Sequence, residues 1–265
     1  MPFVDSNGIQ LAYQRTGHGE SVLLIMGSGA SGRVWTMHQT PALNKAGYQT
    51  ITFDNRGISP SDAPPGKYAL ADLVADTKGL IEALALGPVR IVGTSLGSLI
   101  AQELAVHHPH LVRCAVLLAT RSRSDATRRA QARADLALLE AGIRLPPAYN
   151  AAKQVLEMLS PATLSNDAAM SSWLDLFELS GSGDGGGQAW IDPATDRREA
   201  LRRITAPCRV IAFTDDLITP PHLALEVADS IPNCDYVEIQ DCGHLGNLER
   251  PDEVNAAIIE FLDKY

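Results

Sequence analysis

Gly93-Thr94-Ser95-Leu96-Gly97 sets one serine between two glycines, directly after the apolar run Val89–Val92 and directly before the helical period of Leu96–His107. A serine at a sharp strand-to-helix turn is held in strained backbone geometry that lifts its hydroxyl above the sheet. The flanking glycines keep side chains out of the neighbouring strand and helix. The helix N-terminus also aims free N–H groups at any negative charge that develops beside the serine. Such a hydroxyl becomes a nucleophile only with a base, and the base needs an orienting group. Two later loops supply both types: Thr214-Asp215-Asp216-Leu217-Ile218-Thr219-Pro220 and Gln240-Asp241-Cys242-Gly243-His244-Leu245. Ser95, one of the paired aspartates and His244 are together the parts of an acyl-transfer site.

The elements that must position them are short apolar runs alternating with helical periods. Val22–Met26 is too short for a helix and ends at a glycine, so it reads as a buried strand. The same pattern recurs at Gln49–Phe53, Val89–Val92, Ala115–Leu118, Arg209–Phe213 and Tyr236–Ile239. Helical periods fall at Leu70–Leu86, Leu96–His107, His222–Ser230 and Val254–Leu262. This alternation predicts an α/β fold with a mostly parallel, doubly wound sheet covered on both faces. At the start, Phe3–Val4 and Ile9–Tyr13 flank Asn7-Gly8, a hairpin signal that adds an antiparallel edge. Doubly wound sheets bind ligands at the carboxyl ends of their strands, where the serine and both later loops fall.

Residues 121–203 break the rhythm with helical segments at Ala126–Ala141, Ala151–Leu159 and Leu164–Leu179, then a glycine-rich patch, Gly181–Gly187, read as a flexible connection. The expected organisation is a core from 1–120 and 204–265 with a helical cap or lid from 121–203.

The chain has 265 residues, 45% hydrophobic and 20% charged, enough to build a core and unlike a disordered or collagen-like chain. With 22 basic and 31 acidic residues its net charge is −9, which repels phosphate backbones and anionic lipid, so neither nucleic acid nor membrane is an expected partner. Cys114, Cys208, Cys234 and Cys242 have no metal-ligand or CxxC spacing and read as free thiols of a reducing compartment. No basic segment followed by an apolar one opens the sequence and no run approaches a membrane span, which predicts a cytoplasmic protein. A homo-oligomer is compatible with this composition. His107, His108 and His110 sit at a helix end and read as partners of its dipole rather than as metal ligands. Asp54, beside Asn55-Arg56-Gly57, reads as part of a structural turn with an ion pair.

Gly27-Ser28-Gly29-Ala30-Ser31-Gly32 also fits a dinucleotide fingerprint, with Asp54 about 20 residues on. Pro41 interrupts the helix that should follow, and a hairpin precedes the first strand. The loop has another use: the Ser28 N–H paired with that of Leu96 makes an oxyanion hole.

Taken together, the chain resembles an α/β-hydrolase along nearly its full length, most closely the cofactor-free, non-haem bacterial haloperoxidase and esterase branch. The resemblance rests on Val22–Trp35, Phe53–Gly57, Gly93–Gly97, Asp216–Pro220 and Gly243–Pro251, with Met26-Gly27 where the family usually carries His-Gly. The order Ser, Asp, His is that of this fold, and the three-residue gap to Pro220 selects Asp216 over Asp215, as in related hydrolases. By position, the resemblance implies Ser95 as nucleophile, His244 as base, Asp216 as acid, and Ser28 and Leu96 as oxyanion donors. It implies no cofactor and no metal. The expected substrate is a small, mainly apolar acyl compound, an ester or thioester, contacted by Gly27, Gly29, Trp35, Trp173, Leu217 and Leu245. The same triad serves perhydrolysis or C–C bond hydrolysis, and a non-catalytic binding or cyclisation scaffold is the alternative of a different class.

Overall fold

The structure is a computed structural model that describes residues 1–179, 186–191 and 195–265. Its first strands, β1 (Phe3–Ser6) and β2 (Ile9–Thr16), form the hairpin, with Asn7 at φ 49° and Gly8 at φ 77° in the left-handed turn that such two-residue connections demand. β3 (Ser21–Ile25), β4 (Gln49–Phe53), β5 (Val89–Thr94), β6 (Val112–Leu118), β7 (Cys208–Phe213) and β8 (Cys234–Ile239) follow, each within a few residues of its apolar run. The sheet has eight strands in the order β1-β2-β4-β3-β5-β6-β7-β8, antiparallel at β1-β2-β4 and parallel from β4 onward.

The parallel strands are mostly apolar because helices cover both faces, with Thr50, Thr52, Arg90 and Arg209 as buried polar exceptions. α1 (Gln39–Lys45), α2 (Leu70–Ala83) and α3 (Leu96–His107) accompany the first half of the sheet. The segment between β6 and β7 holds α4 (Ala126–Glu140), α5 (Pro147–Met158), α6 (Pro161–Leu164), α7 (Asp167–Leu179) and α8 (Arg198–Leu201). α9 (Pro221–Ser230), α10 (Gly246–Glu249) and α11 (Pro251–Leu262) complete the chain. On one face Leu23, Ile25 and Ile91 pack against Leu73, Leu80, Ile100 and Leu104 of α2 and α3. On the other, Val22, Leu24 and Val92 join Leu43 of α1 and Ile258 and Phe261 of α11.

The helix expected over Leu164–Leu179 begins three residues later, as α7, because Asn166 caps it: its Oδ1 accepts the N–H of Ala169 at 3.2 Å, and the short α6 precedes it. Of the glycine patch, Gly186 and Gly187 begin a short 3-10 helix, Gly186–Trp190, and the remainder lies outside the described residues. The cysteines are free thiols, as expected, three buried and Cys234 partly so. No helix among the described residues is long and apolar enough to cross a membrane.

The strand-to-helix turn at Ser95 is built from close backbone approaches. A Cβ on Gly93 would stand 2.4 Å from the Gly97 carbonyl oxygen, and one on Gly97 only 2.1 Å from that of Ile25. Ser98 Oγ caps the turn from inside, 2.6 Å from both the Gly93 and the Leu118 carbonyl oxygens. Gly97→Ala forces β3 and α3 apart and is expected to cost about 1–3 kcal/mol, read as a lower urea midpoint with an unchanged slope.

Candidate active site

Ser95 sits between β5 and α3 at φ 52°, ψ −116°, a backbone conformation that costs a non-glycine residue on the order of 1–3 kcal/mol. The Ser95 N–H donates to the Leu118 carbonyl at 3.0 Å, which ties the turn to β6. Strain of this kind persists only where the surroundings over-determine it, and here the two glycine contacts and the Ser98 cap do so. The Leu96 N–H is in the first turn of α3, where no intrahelical acceptor exists. Gly27 lies against the serine: a Cβ there would be 3.3 Å from that of Ser95.

Asp216 and His244 come from the loops after β7 and β8, strands that pair in parallel and so deliver both loops to one edge. The Asp215 N–H donates to the Cys242 carbonyl at 3.0 Å and clips the two loops together. Asp216 is fully enclosed. Its Oδ1 accepts the N–H groups of Ile218 (2.7 Å) and Thr219 (2.8 Å), and its Oδ2 accepts the Thr219 hydroxyl (2.6 Å) and meets His244 Nδ1 at 2.8 Å. Burial pushes this carboxyl towards its neutral form, but the charge and hydrogen bond of His244 and the bonds from Thr219 outweigh it, leaving the group below the usual carboxylate range. An ionised carboxylate only accepts hydrogen bonds. Nδ1 therefore carries the hydrogen, and whenever the ring is neutral its lone pair is left on Nε2, the tautomer a general base requires. Asp215 does not share this environment; burial, Asp241 and Glu249 raise its carboxyl instead.

The His244 loop is held from the inserted helices. Glu249 Oε2 accepts the Gly243 N–H at 2.6 Å, while its Oε1 accepts Ser160 Oγ (2.7 Å) and Thr163 Oγ1 (2.5 Å) at the start of α6. The Leu245 N–H donates to the Met158 carbonyl at 3.2 Å. The insertion thus fixes the loop that carries the base.

A cavity of about 140 Å³ opens at the strand ends, lined by Ser95, Leu96, Ser28, Thr219, Arg121 and Arg128 among others. It brings together the predicted nucleophile and both predicted oxyanion donors, with Thr219 joining them to the Asp216–His244 pair. Among the described residues no hydrogen bond links Ser95 Oγ to the imidazole in this ligand-free arrangement; contacts of this type commonly tighten only when substrate binds.

Other expected contacts fall elsewhere. Trp35 is 0% exposed and belongs to the core with Leu43 and Phe261, because the 3-10 helix Gly32–Met37, capped by Ser31, turns it inward. Leu217 points to solvent at 62% exposure, since Asp216 draws the next two N–H groups inward and its side chain outward. Trp173 stacks on Phe177 along α7, their ring centroids 6.0 Å apart, outside the cavity lining. Leu245 and Gly27 support the site without lining it. Gly29 donates its N–H to Gln188 Oε1 at 3.0 Å. Among the described residues Asp54 has no ion pair: it accepts Ser31 Oγ (2.7 Å) and the Gly32 N–H (2.8 Å), while the expected partner, Arg56, pairs with Asp76. These bonds shape the glycine loop for its place beside Ser95. His107 pairs with Glu103 at 3.2 Å, and no cluster of potential metal ligands occurs among the described residues.

Two contributors have no counterpart among the expected residues. Thr219 is foreshadowed by its position three residues after Asp216, where a short hydroxyl closes a turn onto the carboxylate. Gln188 is not: it reaches from the 3-10 helix Gly186–Trp190 to the glycine loop, with Nε2 donating to the Arg56 carbonyl at 2.8 Å. A glutamine in a polar stretch signals nothing until the chain is folded.

The family description "alpha/beta hydrolase fold" matches residues 20–251 of this chain. A Mycobacterium tuberculosis protein that carries the name non-heme bromoperoxidase BpoC is 46% identical over 256 residues, spanning 96% of this chain and 97% of its own. The crystal structure of that H37Rv protein superposes with a TM-score of 0.92 at 45% identity, covering 96% of each chain. A Variovorax paradoxus protein named as the carbamate hydrolase RutD is 31% identical, covering 92% of each. A thermophilic esterase from Thermogutta terrifontis superposes with a TM-score of 0.85 at 25% identity, covering 100% of this chain and 99% of its own.

Because the Asp216 carboxyl is lowered on folding, its contribution to stability is complete above the unfolded value, about 4, and is lost as pH falls through the folded value. The stability gap between wild type and Asp216→Asn is therefore expected to be constant from pH 7 to about 5 and to narrow below about 4, measured by urea denaturation across that range.

Proposed function

The chain belongs to the α/β-hydrolase family, and within it we propose a serine hydrolase that cleaves small carboxylic esters or thioesters through an acyl-enzyme on Ser95. The observation that supports this reading is the enclosed Asp216–His244 pair, 2.8 Å apart, whose carboxylate is bonded by Thr219, a residue that lines the same cavity as a serine at φ 52°. Neither the strained serine nor the buried carboxylate serves packing, and a binding scaffold has no physical need for both.

In the proposed reaction Ser95 Oγ attacks the acyl carbon and its proton passes to His244 Nε2. Asp216 stabilises the imidazolium through Nδ1 without taking a proton itself. The carbonyl oxygen becomes an oxyanion held by the Ser28 and Leu96 N–H groups, where loss of one donor typically costs about 3 kcal/mol. His244 returns the proton to the departing alcohol or thiol. Water, deprotonated by His244, then attacks the acyl-enzyme, and collapse of the second oxyanion releases the acid and restores the Ser95 hydroxyl. No step requires a metal or an organic cofactor. The helices between β6 and β7 act as the lid in this reading, holding the His244 loop through Glu249 while bounding the cavity.

The likeness to a protein named as a bromoperoxidase favours a second use of the same acyl-enzyme. Hydrogen peroxide attacking in place of water releases a peracid, which then oxidises bromide. Ester turnover with and without peroxide and bromide separates the two uses, with hydrolysis the expected main activity.

Ser95→Ala is expected to abolish labelling by a fluorophosphonate probe and to lower kcat on nitrophenyl esters by about four orders of magnitude or more, with the thermal midpoint little changed. Undiminished turnover in that variant contradicts the reading. Gln188→Ala is expected to lower kcat about tenfold more than it raises KM, because the bond it removes shapes the oxyanion loop rather than the substrate.

A further inference from the structure

Two arginines stand in the Ser95 cavity with little to hold. Arg121, just beyond β6, and Arg128, in the first turn of α4, both line it. The Nε of each is buried without a hydrogen-bond partner among the described residues. Arg121 gives one bond, from Nη1 to the Ile218 carbonyl at 3.2 Å. Arg128 uses only its backbone N–H, which caps onto Asp125 at 2.8 Å, and its guanidinium makes no hydrogen bond or ion pair among the described residues. The other arginines enclosed among the described residues each meet a carboxylate: Arg56 with Asp76, Arg90 with Glu20, Arg197 with Glu103, Arg209 with Asp235.

The surroundings do not neutralise the pair. Burial, and then the neighbouring charge of Arg128, push Arg121 down to about 10, with Asp216 and Asp125 opposing more weakly. Asp216 is already committed to His244 and Thr219, and Asp125 to the start of α4. In a chain of net charge −9, two adjacent cations left without a carboxylate beside a nucleophile are a local reversal of sign. Desolvated charge of this kind is costly unless something pairs with it, and planar guanidinium forks match a carboxylate with two parallel hydrogen bonds. A wider groove of about 620 Å³ adjoins through Leu99 and Arg121, so a substrate can extend past the arginines while its acyl carbon stays at Ser95.

We infer that the substrate carries a carboxylate a short distance from the bond that is cleaved, and that Arg121 and Arg128 bind it. The hydrolase is then one for half-esters or thioesters of short dicarboxylic acids rather than for purely apolar acyl groups. The inference rests on the reading of Ser95 as nucleophile for the word substrate, while the anion site itself stands on the two side chains.

Isothermal titration of Ser95→Ala with glutarate, and with its uncharged diamide, tests it. Glutarate is expected to bind and the diamide not, and added salt is expected to weaken binding. Arg128→Met, which removes a side chain that holds nothing else in the fold, is expected to weaken glutarate by about tenfold or more, and Arg121→Met likewise. Equal affinity for acid and diamide, binding of neither, or unchanged glutarate affinity in a folded Arg128→Met protein overturns the inference. Fluorophosphonate labelling of wild type, run alongside, keeps the two readings apart. Labelling without glutarate binding removes the carboxylate alone, and glutarate binding without labelling removes the nucleophile and leaves the anion site.

Discussion

The left-handed backbone of Ser95 is the constraint on which the rest of the site depends. A positive φ at a serine is held because Gly93 and Gly97 let β5, β3 and α3 close to distances at which no side chain fits, and because the Ser98 hydroxyl sits against the Gly93 and Leu118 carbonyls inside the turn. The same closeness that strains the turn presents its hydroxyl at the cavity floor and leaves the first N–H of α3 free. Packing, strain and electrostatics at this point are one arrangement.

The acid and base are assembled by different physics. Asp216 is enclosed, and an enclosed carboxylate is tolerable only when its lone pairs are filled; two backbone N–H groups, the Thr219 hydroxyl and His244 fill them. The orientation of the imidazole follows from that requirement. The inserted helices contribute through Glu249, whose carboxylate bridges the His244 loop and the start of α6. A segment between two strands of the sheet therefore bears on the base although none of its residues is in the Asp216–His244 pair.

Much of this was legible in the sequence. Buried parallel strands are largely apolar on both faces, so short, mostly apolar runs marked the strands, and the serine, aspartate and histidine could be placed at strand ends. What stayed hidden depends on contacts between distant parts of the chain. Trp35 beside a glycine loop looks the same whether it faces ligand or core, and only the turn of the 3-10 helix decides for the core. Gln188 lies in a polar stretch and gains its role by reaching the loop of Gly29. Arg121 opens the stretch that breaks the strand rhythm and Arg128 lies in the helical segment Ala126–Ala141, and nothing in either position marks it as facing the cavity that both line. Asp54 has Arg56 as its near neighbour, but the guanidinium turns to Asp76 on α2 and leaves Asp54 to the glycine loop.

The measurement that bears most directly on the account is a crystal structure of the phosphonate adduct at Ser95. The phosphoryl oxygen is expected about 2.7–3.1 Å from both the Ser28 and Leu96 nitrogens, with His244 Nε2 turned to the ester oxygen and Nδ1 still on Asp216. An adduct whose oxygen faces solvent, or in which the imidazole lies turned away from the serine, contradicts it.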